Sequence, residues 1–267
     1  MNILSRFSLE GKVAIVTGGK QGIGKAIALA FAEAGADVAI CSRRLTDGKL
    51  EGTADEIRRL GRRPLAVQAD VSRKADVDNL VQRVMDEFGD IDILVNNAGI
   101  YVEVPTIRLS EEDWDMVQSI DLKGAFLCAQ AAGRIMMKQK RGNIINISSV
   151  VGLRPQVNPG GYDVAKAGLI MLSNSMAVEL AHYNIRVNTI ASGYIRTEIN
   201  DYIFKDDPEH LKAIESATAM GRIGEPIEIA MVALFLASDA SSFVTGCTIN
   251  ADGGFLWQSP LRAYQKV

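Results

Sequence analysis

The chain has 267 residues, 48% of them hydrophobic, enough to bury one large core or two small ones. Lys and Arg number 29 against 32 Asp and Glu, a net charge of -3, so no basic surplus points to nucleic acid and no charge run forms a tail. Isolated cysteines (Cys41, Cys128, Cys247) argue against a disulfide framework and for a reducing cytoplasm, and His182 and His210 have no ligand-spaced neighbours that would suggest zinc.

The N-terminal stretch MNILSRFSLEGK lacks the apolar region of a signal peptide, and no uninterrupted apolar run approaches the ~18 residues that span a bilayer. A protein without a membrane partner is expected. Short apolar, β-branched runs then recur in chain order: Val13–Val16, Asp37–Cys41, Leu65–Ala69, Ile91–Val95, Asn143–Ile147, Arg186–Ile190 and Cys247–Asn250. Segments with helical spacing lie between most of them. This alternation predicts an α/β domain with a parallel sheet and helices on both faces. Runs such as VAIVT and IDILV are apolar at every position, as strands buried from both sides require.

Gly35 and Gly61 stand where helices end, and Ser110 to Asp113 can form a capping box before a helix carrying Trp114, Val117 and Ile120. Glu225-Pro226 suits the first turn of a late helix. No linker or repeat interrupts the chain, so residues 1–267 read as a single domain. The least patterned stretch, 194–224, follows a strand and is expected to act as a substrate lid, a surface excursion being the alternative.

The first strand runs into TGGKQGIGKAIALAF, a turn with Gly18, Gly22 and Gly24 before an apolar helix. Missing side chains let a pyrophosphate approach the backbone, and a helix N-terminus offers unpaired N–H groups; a tight turn without ligand is the plainer alternative. The second strand ends in Ser42, Arg43 and Arg44, where NAD-binding folds carry an acidic residue for the ribose 2′-hydroxyl. Arginine grips a 2′-phosphate that a carboxylate would repel. NADP(H) is therefore the preferred cofactor, with NAD(H) as the second choice.

TGGKQGIG (Thr17–Gly24), NNAG (Asn96–Gly99), NISS (Asn146–Ser149) and YDVAK (Tyr162–Lys166) together resemble the short-chain dehydrogenase/reductases, in their small single-domain branch. The resemblance covers about residues 8 to 257, and four motifs in the right order are highly specific. It implies a Rossmann-like doubly wound sheet of seven strands in order 3-2-1-4-5-6-7, nicotinamide-dependent hydride transfer at an alcohol or ketone, and a homotetramer. It also implies Ser149 as catalytic serine, Tyr162 as general acid/base and Lys166 beside it. Cofactor contacts implied by the same motifs are Gly18, Gln21, Gly22, Ile23, Gly24, Ser42, Arg43, Asp70, Val71, Asn97, Tyr162, Lys166, Ile195 and Thr197. Asn96 matches the residue that steadies the fourth strand and sits over the cofactor.

Two positions depart from the family pattern. SIDLKGAF carries Asp121 where an asparagine commonly keeps a water in the proton relay, and its charge is expected to raise the pKa of Lys166 and, less directly, of Tyr162. Ser192 stands where proline is common, and a looser turn is expected there.

A free phenol has a pKa of about 10, and a neighbouring ammonium lowers it. Positions 162 and 166 share one helix face, so the helix itself sets that distance. Ser149 would bond the substrate oxygen. Candidate pocket residues are Tyr101, Glu103, Arg154, Gln156, Asn158, Tyr194 and Tyr202, a polar set. They suit a sugar, polyol or sugar acid, with Arg154 as carboxylate partner. The alternatives are a 3-oxoacyl thioester reductase and, in a different class, a nucleotide-binding regulator without turnover.

Overall fold

The computed structural model describes residues 3–198, 200–201 and 207–258. Seven strands form one parallel sheet in order β3-β2-β1-β4-β5-β6-β7. They are β1 Val13–Thr17, β2 Asp37–Ser42, β3 Pro64–Gln68, β4 Ile93–Asn96, β5 Gly142–Ser149, β6 Ile185–Ser192 and β7 Thr248–Ala251. Each overlaps a run that the sequence marks as a strand.

Side chains alternate across the sheet, and the alternation sorts the core into two layers. On one face Ala14, Val16, Val38, Ile40, Val95 and Ile145 pack under α1 (Gly22–Glu33), α2 (Lys49–Arg59) and α8 (Pro226–Ala237). On the other, Ile15, Ala39, Val67, Leu94, Ile144 and Val187 pack under α3 (Lys74–Phe88), α5 (Ala125–Gln139) and α6 (Tyr162–Leu180). Every position of β1 is buried, as VAIVT requires. Each fully buried Ile or Phe contributes about 1.5–3 kcal/mol, so the paired layers hold the strand ends in fixed register. That rigidity matters because the site is made at those ends.

Residues 162–183 are long and apolar enough to cross a bilayer by composition alone. In the fold this helix packs on β5 and β6.

Helix α4 (Glu111–Gln118) is capped by Ser110, whose hydroxyl accepts the Asp113 N–H at 3.1 Å. The expected helix does not continue to Ile120 as an α-helix. Ser119–Gly124 is a π-helical segment leading into α5. Such widened turns commonly mark functional positions, and this one carries Asp121.

The stretch 194–224 contains a further helix, α7 (Pro208–Ala217), whose Asp207 cap accepts the His210 N–H at 2.9 Å. Its two ends lie side by side: the Gly224 N–H donates to Tyr194 O at 2.9 Å and the Arg196 N–H to Gly224 O at 2.8 Å. The excursion is thus a closed loop rooted at the C-terminal end of β6. The looser turn expected at Ser192 is not found. β6 runs through Ser192, paired with Ser149 and Ala251, and its hydroxyl donates to Ser148 O. A serine keeps the N–H and hydroxyl that let the strand continue.

Candidate active site

The strand order reverses between β1 and β4, and a cavity of ≈ 540 Å³ opens at the carboxyl ends of the strands there. This is where doubly wound sheets bind ligands. The glycine turn forms one wall. A Cβ at Gly24 would stand 2.4 Å from both Gly18 O and Asn97 Nδ2, so only glycine lets helix α1 start this close to the ends of β1 and β4. Gln21 precedes α1 without a side-chain cap, which leaves first-turn N–H groups for the cavity. Gly18, Gln21, Gly22, Ile23 and Gly24 all line it.

Ser42, Arg43 and Arg44 line the rim beyond, with both arginines exposed. Asp70 and Val71 form the neighbouring wall, and the Asp70 carboxylate accepts the Ser72 N–H at 3.0 Å and its hydroxyl at 2.6 Å. Asn97 lines the floor and donates to Thr17 O at 2.9 Å. Ile195 and Thr197 line the far side, clipped by Asn200: its Oδ1 accepts from Thr197 N (2.9 Å) and Oγ1 (3.0 Å), and its Nδ2 donates to Ile195 O (2.9 Å). A glycine cradle, an open helix N-terminus and rim cations fit a dinucleotide carrying phosphates.

Ser149 ends β5 and Tyr162 opens α6. Gly160 and Gly161 make the entry turn with φ of 57° and 77°, and a Cβ at Gly160 would fall 1.8 Å from Val102 O. Glycine at 160 is therefore a steric requirement of the turn that opens α6 at Tyr162. The phenol lies against the Ser149 hydroxyl, which stabilises its ionised form. The Ser148 hydroxyl donates to Lys166 O at 2.9 Å, whereas the Ser149 hydroxyl donates only a long bond to Ser192 O at 3.4 Å and is the serine that acts on the phenol.

One turn along α6, the Lys166 ammonium donates to Ile147 O at 3.2 Å and sits 5.1 Å from the centroid of the Tyr162 ring. Its charge partner is Asp121, with Oδ2 at 3.1 Å, close in distance but not aligned as a hydrogen bond. Both are buried, at 3% and 1% exposure. The π-turn aims Asp121 here, and its Oδ1 accepts the Ile100 N–H at 2.8 Å. Burial pushes the Asp121 carboxyl above its ordinary range, opposed by Lys166. Lys166 is lowered by burial but raised more in sum by Asp121 and Tyr162, and stands above the usual lysine value. Tyr162 is also raised: burial dominates, Lys166 and Ser149 act against it, and Asp121 adds to it. The expected influence of Asp121 on both groups is thus present in the geometry.

Three expected positions lie elsewhere. Asn96 does not line the cavity. Its amide donates to Asn146 Oδ1 at 2.8 Å and Ala125 O at 3.2 Å, steadying β4 from within the core. Arg154 does not line the cavity, and its guanidinium donates instead to Leu256 O at 2.9 Å and Phe255 O at 3.1 Å. Asn158 stands outside the lining, with its carbonyl accepting from the Tyr101 hydroxyl at 3.3 Å. Tyr202 lies outside the described residues. Tyr101, Glu103, Gln156 and Tyr194 do line the cavity, and so do Asn200 and His210, which the sequence did not single out.

The sequence profile of a family described as Enoyl-(Acyl carrier protein) reductase matches residues 18–256. The chain belongs to the short-chain dehydrogenase/reductase family. It is 41% identical over 251 residues to the 3-oxoacyl-[acyl-carrier-protein] reductase of Thermotoga maritima, covering 93% of this chain and 99% of that one. It is 42% identical over 260 residues to a probable NADP-dependent mannitol dehydrogenase of Yarrowia lipolytica, covering 95% and 91%. Among solved structures, a gluconate 5-dehydrogenase from Burkholderia cenocepacia in complex with NADP and tartrate superposes with a TM-score of 0.90 at 36% identity, covering 95% of this chain and 98% of that one. As a member of this family the protein is a nicotinamide-dependent oxidoreductase acting on a hydroxyl/carbonyl pair.

Proposed function

We propose that the protein interconverts a ketose or related carbonyl compound and the corresponding polyol, with NADP(H) preferred over NAD(H). The convergence of Ser149, Tyr162 and Lys166 at the strand ends carries the chemistry. The nicotinamide, when bound, supplies or accepts the hydride. The protein's residues handle the proton. Tyr162, raised in pKa and so protonated at neutrality, donates its proton to the substrate oxygen during reduction. Ser149 holds the same oxygen and stabilises charge that develops on it. Lys166 lies over the phenol face and stabilises the phenolate that remains. Asp121 and Ile147 O hold the ammonium in that place. In the oxidative direction Tyr162 must first lose its proton, so alcohol oxidation speeds up as pH rises.

The substrate reading rests on the lining beyond Tyr162. The Tyr194 hydroxyl donates to Gln156 Oε1 at 3.0 Å, and the Glu103 charge acts on that phenol from nearby. His210 reaches the same cavity from α7. With Arg154 engaged elsewhere and Glu103 present, a neutral polyhydroxy compound suits this wall better than a sugar acid. The mannitol dehydrogenase relative supports this reading. The Thermotoga maritima relative supports a second one, a 3-oxoacyl thioester reductase.

Arg43 and Arg44 support the NADP(H) preference, as does the NADP in the Burkholderia cenocepacia structure. The closed loop 194–224 serves as the lid over the substrate half. Exposed apolar side chains on α5, α6 and α8, among them Phe126, Met171, Val178 and Met231, support a homotetramer. The free thiols of Cys41, Cys128 and Cys247 suit a cytoplasmic setting.

The test is a panel of neutral polyols and ketoses, sugar acids and 3-oxoacyl thioesters, followed by cofactor absorbance with both nicotinamide cofactors. The highest kcat/KM is expected for a neutral polyol–ketose pair with NADP(H). A thioester that outperforms every polyol would replace the first reading with the second.

A further inference from the structure

Arg154 sits five residues after Ser149, on the segment that joins the catalytic serine to Tyr162. Its guanidinium donates to two successive carbonyls, Phe255 O and Leu256 O, about a hundred residues away in sequence. The same guanidinium lies 5.4 Å from the centroid of the Phe255 ring. Phe255 in turn meets Tyr194 edge to face, with centroids 5.4 Å apart. The Tyr194 hydroxyl donates to Gln156 Oε1 at 3.0 Å, and Gln156 is two residues from Arg154. The contacts therefore close into a ring through three chain segments: 154–156, 194 and 255–256.

The C-terminal turn in this ring is itself held in shape. Asp252 accepts the Gly254 N–H at 2.9 Å and the Leu256 N–H at 2.8 Å. The Met220 N–H donates to Gly253 O at 3.0 Å, which ties the end of the 194–224 loop to the same turn. Phe255 and Leu256 are buried together with Val150, packed by Tyr194 and Ala217. Tyr194 and Gln156 both face the cavity, whereas Arg154, Phe255 and Leu256 stand behind them.

We infer that Arg154 is a positioning residue for the substrate wall. By clasping the C-terminal turn it sets the Phe255 ring behind Tyr194, and so fixes where the Tyr194 hydroxyl and Gln156 meet a substrate hydroxyl. Charge-assisted bonds to two fixed carbonyls have the directionality to do this, and a planar fork suits the task better than a lysine. The clasp touches none of the glycine turn or its arginine rim. Its effect falls on substrate, not cofactor. The inference rests on the reading of the cavity beyond Tyr162 as the substrate half.

The experiment uses the full-length protein and whichever carbonyl compound the wild type reduces, so it stands even if the polyol reading fails. Arg154→Met keeps the apolar stem and removes the donors. It is expected to raise substrate KM on the order of tenfold, the loss of about one charge-assisted hydrogen bond, while cofactor Kd by fluorescence titration stays at the wild-type value. Phe255→Leu is expected to act in the same direction. In the double variant Arg154→Met with Tyr194→Phe, the losses should not multiply, because both act through one phenol. Arg154→Lys, which keeps the charge and loses the fork, covers the case in which the methionine variant does not fold, and should also raise substrate KM. Three results would overturn the inference: an unchanged substrate KM, a cofactor Kd that rises in parallel, or fully multiplicative losses. A loss confined to acidic substrates would overturn it too, by returning Arg154 to direct carboxylate binding.

Discussion

The two halves of the cavity are built differently. The cofactor half is made of contiguous pieces: residues 18–24, 42–44, 70–71 and 97 each lie at or just past the end of one strand, and much of what they present is backbone. The catalytic and substrate half is assembled from far-separated side chains. Lys166 meets Asp121 from 45 positions away and Arg154 meets Phe255 from 101 positions away. Local sequence can specify the first kind of site. The second exists only once both sheet layers have packed. Perturbations in each half should therefore separate: cofactor affinity for the first, proton transfer and substrate affinity for the second.

The largest separation is expected from Lys166→Met. It removes the charge that stabilises the phenolate and leaves Asp121 buried without its partner, so alcohol oxidation should fall on the order of 10²–10⁴-fold. Adding Asp121→Asn should restore thermal stability without restoring the rate, which separates the ion pair's structural role from its chemical one. Turnover and Tm of the single and double variants check both points.

Arg43→Ala probes the other half. The loss of charged hydrogen bonds to a 2′-phosphate should cost NADPH roughly tenfold to a hundredfold in kcat/KM and leave NADH little changed. A parallel loss with both cofactors would break the comparison, because Arg43 would then serve the fold rather than the phosphate.

Asp121→Asn alone is a smaller, directional test. The Asp121 charge raises both Lys166 and Tyr162, so its removal lowers both. The rising limb of the oxidation rate should therefore move to lower pH. An unmoved limb would mean that Asp121 acts only by holding Ile100 and Lys166 in place.

The smallest effect is expected at the base of the 194–224 loop. Glu228 is held down to about 2 by Arg222 and the Glu225 N–H. A depressed carboxylate stabilises the fold fully above its unfolded pKa, about 4.3, and that contribution is lost as pH falls toward 2. Both side chains are exposed, so Glu228→Gln should lower Tm at pH 7 by no more than about 2–4 °C, with the difference shrinking in acid.

The contrast between the halves also explains what could be read in advance. All seven strands were legible, because β-branched runs such as VAIVT are apolar on both faces only in a covered parallel sheet. The family resemblance pointed to Ser149, and the structure adds that the neighbouring Ser148 hydroxyl is spent on Lys166 O. Arg154 misled because an arginine near a strand end looks like an anion binder, and nothing local shows that Phe255 and Leu256 will present carbonyls to it. Asn96 and Asn97 differ only in which way consecutive side chains point at the end of β4. The roles of Asn200 and His210 depend on how the 194–224 loop folds back, which no local pattern encodes.

The central claim is that Tyr162 carries the proton. Its most direct test is the pH dependence of NADP⁺-linked alcohol oxidation in the wild type and Tyr162→Phe, with cofactor Kd measured alongside. The account predicts a wild-type rate that climbs with pH as the phenol ionises. It predicts a variant that binds cofactor normally, is slower on the order of 10²–10⁴-fold and has lost that limb. A Tyr162→Phe enzyme with a near-normal rate and an unchanged limb would contradict it.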